Sequence, residues 1–156
     1  MEQKDNKKQK WYIIGFVAII VFAIIASIMN GGEKRDYSQK DTITYNDVEY
    51  SIKKVEKDGE YLNVIINAKN KGTNTISYSN FHFSMINEKG EFIDKKKLVV
   101  DDGTIFTSGE LKPNEEVEGK VIWEYKEENK DLRVRYYENF IMSKIDDYEF
   151  QWSLDN

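Results

Sequence analysis

Residues 11–29, WYIIGFVAIIVFAIIASIM, form an almost wholly apolar block, and no charge occurs between Lys10 and Glu33. At 1.5 Å per residue these 19 residues predict a helix about 28 Å long, matching the hydrocarbon layer of a bilayer. The rest of the chain shows a different period. Leu62, Val64, Ile66 and Ala68 alternate with Asn63, Asn67 and Lys69, broken only by Ile65. Val117, Gly119, Val121, Trp123 and Tyr125 alternate with Glu118, Lys120, Glu124 and Lys126, and Leu132, Val134 and Tyr136 with Arg133, Arg135 and Tyr137. The same pattern recurs in Phe81, Phe83 and Met85, and again in Tyr148, Phe150, Trp152 and Leu154. Val48, Tyr50 and Ile52 begin a strand whose phase slips at Lys53-Lys54, which predicts a bulge. Period two with no 3.6-residue stripe predicts strands with one apolar face.

Turn chemistry separates these strands: Lys57-Asp58-Gly59, Asn70-Lys71-Gly72, Asn87-Glu88-Lys89-Gly90, Asp101-Asp102-Gly103 and Lys112-Pro113-Asn114. About seven short strands must bury their apolar faces against a second layer. The expected fold is therefore all-β, an antiparallel β-sandwich of immunoglobulin-like type preceded by one transmembrane helix. The expected organisation is a basic tail over 1–10, an anchor over 11–29, a flexible tether over 30–40 (NGGEKRDYSQK) and a sandwich over 41–156. Seventeen aromatic residues outside the anchor supply the core without metal or disulfide.

The exit of the apolar block argues for a retained anchor over a cleaved signal peptide. Cleavage after Ala26, Ser27 or Gly32 would place Ile24, Ile25 or Asn30 where a small residue is needed. Lys4, Lys7, Lys8 and Lys10 precede the block, against Lys34, Arg35 and Lys40 after it, so the amino end is expected in the cytoplasm. Trp11 and Tyr12 fit the headgroup layer at the entrance. The whole chain has 23 Lys and Arg against 28 Asp and Glu. Setting aside the tail's four lysines and two acids leaves 19 cations against 26 anions, a net charge of −7 for the part outside. That charge is wrong for nucleic acid. The absence of cysteine excludes lipidation and disulfides, and with the abundance of Lys, Asn and Ile it suits a bacterial envelope.

Candidate chemistry is sparse. His82 is the only histidine, so no Cys–His pair or histidine-rich metal site can form, and no nucleophile-elbow motif accompanies it. It reads as a polar residue of a strand face. Asp101-Asp102, Glu115-Glu116 and Asp146-Asp147 are too thin for a calcium loop and read as solvated turns. No cofactor or metal is expected, nor an enzyme. The most distinctive surface candidates are Arg133, Arg135, Tyr137 and Phe140: successive tyrosines 136 and 137 point to opposite faces, and arginine with tyrosine is the chemistry of interaction hot spots. The alternative is that Tyr137 packs under a loop.

The run Ser108-Gly109-Glu110-Leu111-Lys112-Pro113-Asn114-Glu115-Glu116-Val117-Glu118-Gly119-Lys120-Val121 resembles a recurrent "G-x-L-x-P-G-x-x-V-x-G-x-V" segment. That segment marks a domain of unknown function common in extracellular proteins and lipoproteins of Gram-positive bacteria. Tyr61–Val64 leading to Ala68–Gly72, and Asn80-Phe81 followed by Asn87–Gly90, are similar to two further elements of that family. The resemblance spans about 42–154 and implies an immunoglobulin-like sandwich, similar to a secreted mycobacterial immunoprotective antigen. Relatives often carry a lipidated cysteine, which an apolar helix replaces here. Asn114 stands where glycine is usual, at a turn set by Pro113, after which Val117 and Val121 enter the core. Gly109, Leu111, Pro113, Asn114, Val117 and Gly119 thus read as a fold signature, with Gly119 leaving room for Trp123 or Trp152.

The function expected from these features is non-enzymatic: a membrane-anchored binding module outside the cytoplasmic membrane, meeting a protein or envelope polymer. One alternative is an accessory subunit of a transport or secretion complex, using the small face of Ala23, Ala26 and Ser27. The other is a carboxylate-dependent envelope hydrolase.

Overall fold

In the computed structural model of the chain the described residues are 35–96, 103–139 and 143–155. The tail, the apolar block, Asp101-Asp102 and Phe140 lie outside them. Among the described residues no helix is long and apolar enough to cross a membrane.

The alternating segments form two facing sheets. One has the order β1 (Arg35–Ser38), β11 (Phe150–Ser153), β10 (Arg133–Tyr136), β6 (Phe83–Ile86) and β7 (Phe92–Ile93). The other runs β2 (Thr42–Tyr45), β3 (Val48–Asp58), β4 (Tyr61–Asn70) and β9 (Glu116–Glu124). A separate hairpin-like pair joins β5 (Ile76–Ser79) to β8 (Ser108–Leu111). The result is an all-β sandwich. Leu62, Val64, Ile66 and Ala68 face Met85, Val134 and Trp152 across a closed core. Tyr136 stacks on Phe150 with centroids 4.8 Å apart, and its hydroxyl meets that of Tyr50 on the other sheet at 3.3 Å.

The bulge expected at Lys53-Lys54 is present as a register shift between Ile52 and Lys54. Beyond it β3 has no partner on its outer side among the described residues, and the exposed Lys53 and Lys54 stand at that open edge, where charge opposes edge-to-edge association. Asn46 and Asp47, both at positive φ, join β2 to β3 in a two-residue turn that contains neither glycine nor proline.

Three expectations are corrected. The tether does not run to Lys40: β1 pairs in parallel with β11, Asp36 accepts from the Gln151 amide, and Tyr37 packs on the core. The sandwich therefore starts at Arg35 and is not wholly antiparallel, because the outer edge of β11 takes a strand from the segment expected to be a tether. Phe81 leaves the core face of its expected strand, since Asn80–His82 form a 3-10 turn that rotates it outward, 65% exposed. Gly119 makes room for neither tryptophan: a Cβ there would stand 2.5 Å from the Phe106 nitrogen and 2.8 Å from the Ile105 carbonyl carbon. Residues 104–106 run against the edge of β9, with Lys120 N–H donating to the Thr104 carbonyl and Phe106 N–H to the Lys120 carbonyl.

Candidate functional site

Strand register assigns every turn to one of two poles. Arg35 is level with Phe150, Phe150 with Tyr136, and Tyr136 with Phe83, so the chain enters the sandwich at the pole that also carries Phe81 and Glu138. The Asn46-Asp47 turn lies there too, because Glu138 accepts from the Tyr45 hydroxyl at 3.1 Å and from the Asn46 amide at 3.3 Å. The Pro113-Asn114 turn joins them through hydrogen bonds between Asn70 and residues 114 and 115. The far pole carries the turns at 58–61, 87–91 and 124–131.

A cleft of about 360 Å³ opens at that far pole. One wall is the Asn87–Glu91 turn, organised by the buried Asn87. Its side-chain Oδ1 accepts the N–H groups of Lys89 and Glu91, its side-chain amide donates to the Glu91 carboxylate at 2.8 Å, and Gly90 adopts the positive φ the turn requires. The other wall is the Lys126–Asn129 turn, closed by Asn129 Oδ1 accepting the Lys126 N–H. The walls are tied together: Glu88 N–H donates to the Lys130 carbonyl, and Lys130 N–H to the Glu88 carboxylate at 3.0 Å. The bond from Lys130 holds the Glu88 carboxyl below its ordinary pKa, so it stays ionised.

Five carboxylates (Glu88, Glu91, Asp94, Glu124 and Glu128) and two ammonium groups (Lys89 and Lys126) line the cleft, together with Phe92, which is 47% exposed. The arrangement favours cationic groups beside a flat apolar surface. These residues were not singled out from the sequence because they come from two turns 30 residues apart, and acidic turn residues read as ordinary solvated surface. The legible signal was the Asn-x-x-Gly turn with an aromatic two residues later.

The hot-spot candidates fare differently. Arg133 is half-buried, whereas Arg135 and Tyr137 are buried, Tyr137 completely, so the expected exposed Arg/Tyr face is corrected. Residues 143–149 fold across this outer face of the sheet. Ile145 offers its carbonyl both to Arg135, at 2.7 Å, and to the Tyr137 hydroxyl, at 2.8 Å. Arg135 also donates to Gln151 and lies 4.1 Å over the Tyr148 ring. The loop reading of Tyr137 is the one observed. Both of its strand faces are covered, which alternation alone cannot reveal.

The signature turn is structural throughout. Asn114 adopts φ of 67°, the left-handed conformation inferred for it. Leu111 is buried, Val121 enters the core and Val117 packs at its margin. Gly109 lies under Tyr78, whose hydroxyl would sit 2.8 Å from an added Cβ. His82 is half-buried, its ring edge-on to Tyr136 and its Nδ1 3.3 Å from the Tyr136 hydroxyl; burial pushes its pKa down. Among the described residues no three His, Asp or Glu side chains converge as a metal site.

The YjhA protein of Bacillus subtilis has a similar structure, with a TM-score of 0.61 at 17% identity over 78% of this chain and 99% of that one. The secreted protein MPT63 of Mycobacterium tuberculosis also scores 0.61, at 8% identity over 79% of this chain and 99% of its own. YcdA of Bacillus subtilis, described as a candidate lipoprotein, scores 0.52 at 14% identity, covering 72% of this chain but 38% of YcdA. These likenesses carry the fold. No curated protein sequence matches significantly. Residues 32–146 match the family model described as a domain of unknown function, DUF4352, and the chain belongs to that family.

Proposed function

We propose that this chain is a non-enzymatic binding module of the bacterial envelope, anchored by residues 11–29, and that it holds a protein or envelope polymer in the far-pole cleft. The observation that carries this reading is the position and lining of the cleft. It opens at the pole opposite the chain's entry at Arg35, with five carboxylates, two ammonium groups and the exposed Phe92 around about 360 Å³. A domain held at Arg35 by an apolar anchor would present that pole away from the bilayer. MPT63 is a secreted protein and YcdA a candidate lipoprotein, which supports an extracytoplasmic setting. The lining favours a ligand that brings cationic groups flanking an apolar or planar one.

The test is recovery of cross-linked partners by the full chain from solubilised envelope, compared with the double variant E124K/E128K. Both residues are exposed, so the fold should be spared. The reading expects a partner with the wild type that is lost with the variant and weakened by salt. Equal recovery by the two would overturn it.

A further inference from the structure

Among the described residues Phe81 is the most exposed large apolar side chain, and its turn is held by several hydrogen bonds. Ser79 Oγ accepts the Phe81 N–H at 3.2 Å and shares a 2.7 Å hydrogen bond with Ser108 Oγ. Asn80 N–H donates to the Thr107 carbonyl, while the Asn80 carbonyl accepts from Lys95 Nζ at 2.6 Å. His82 in turn accepts the Tyr137 N–H. A phenyl ring held on such a turn loses little conformational freedom on docking.

Chain length bounds how far this ring lies from the end of the apolar block. Residues 30–34 are all that separate Met29 from β1, and five residues span at most about 18 Å. Three strand spacings, about 14 Å, separate β1 from β6, and Phe81 projects from the same pole as the chain's entry. We propose that this entry pole rests on the lipid headgroup layer, with Phe81 inserted at the boundary between headgroups and acyl chains. The proposal rests on the reading of 11–29 as a retained anchor. Lys95, with its ammonium 5.9 Å from the Phe81 ring, is placed to stay at headgroup level while the ring enters. Around the pole acidic and basic side chains are mixed, with Lys71 3.9 Å from Glu49 and Lys69 3.7 Å from Glu116, so among the described residues no cationic patch calls for an anionic lipid.

The chain has no cysteine, so a single one can be placed at will. Full-length F81C and K126C, each labelled with an environment-sensitive fluorophore, are reconstituted in phosphatidylcholine vesicles with nitroxides at shallow depth. The expected result is several-fold stronger quenching at position 81 than at 126, with both proteins floating with the vesicles. Flotation with equal, weak quenching at both positions overturns the docking while leaving the anchor intact. Failure to float overturns the anchor reading and the docking with it. Shielding at position 81 that disappears when the protein is diluted in the bilayer would mean that a second copy, not lipid, covers the pole.

Discussion

The backbone nitrogen of Phe106 lies 2.5 Å from the point where a Cβ on Gly119 would stand, closer than any side-chain atom could be accepted. This contact lets the 104–106 segment lie flat along β9. It buries the Phe106 ring edge-on to Phe83, with centroids 5.6 Å apart, and covers a sheet edge that would otherwise be open.

G119A should therefore destabilise the protein by about 3 kcal/mol or more, because backbone must move and the Phe106–Lys120 hydrogen bond is strained. G109A is the control. Its added methyl meets the Tyr78 hydroxyl at 2.8 Å, the far end of a movable side chain, so about 1 kcal/mol is expected. Denaturant unfolding of both variants checks the order, and G109A proving the costlier would refute the account of this edge.

Arg135 holds residues 143–149 against the sheet. R135M removes its bonds to Ile145 and Gln151 and should cost about 2–4 kcal/mol, and Y137F, which loses one hydroxyl bond, about 1 kcal/mol. Hydrogen exchange should show residues 143–149 losing protection in R135M while β4 keeps it. Unchanged protection would mean the loop is held otherwise.

At Asn114 the left-handed backbone sets the ranking of substitutions. N114G should match or slightly exceed the wild type in stability, and N114A should lose about 1 kcal/mol, read by thermal unfolding. The reverse ranking would contradict the turn.

Two groups tie stability to pH in the same direction. Burial lowers the Lys95 pKa from 10.5 to about 8, so between those values the unfolded chain binds more protons and stability rises with pH. His82 is also lowered by burial, so stability falls as pH drops below the ordinary histidine value of 6.5. K95M should flatten the rise above pH 8 and gain about 1–2 kcal/mol near pH 7, less the lost bond to Asn80. A K95M curve parallel to the wild type from pH 8 to 10 would rule out that linkage.

Strand existence was plain in the sequence because period two survives wherever one face is buried and the other wet. It fails where both are covered: Ile86, Arg135, Tyr137 and Gln151 look like surface positions in alternation but are buried, Arg135 and Tyr137 against Ile145. It fails again at Phe81, where three residues of 3-10 turn reset the phase. Turns marked by glycine or proline were legible, while Asn46-Asp47 was not, since asparagine and aspartate tolerate positive φ but also occupy many other surface positions. The cleft was the least legible part, because it depends on which turns the topology brings together at one pole.

The central claim, that the far-pole cleft is where a partner sits, is tested most directly by a photo-reactive benzophenone side chain at position 92 of the full chain in intact cells. The account predicts a discrete macromolecular adduct on irradiation, suppressed when E124K/E128K is introduced on the same chain. No adduct at position 92, or one of equal yield in the charge-reversed variant, would contradict it.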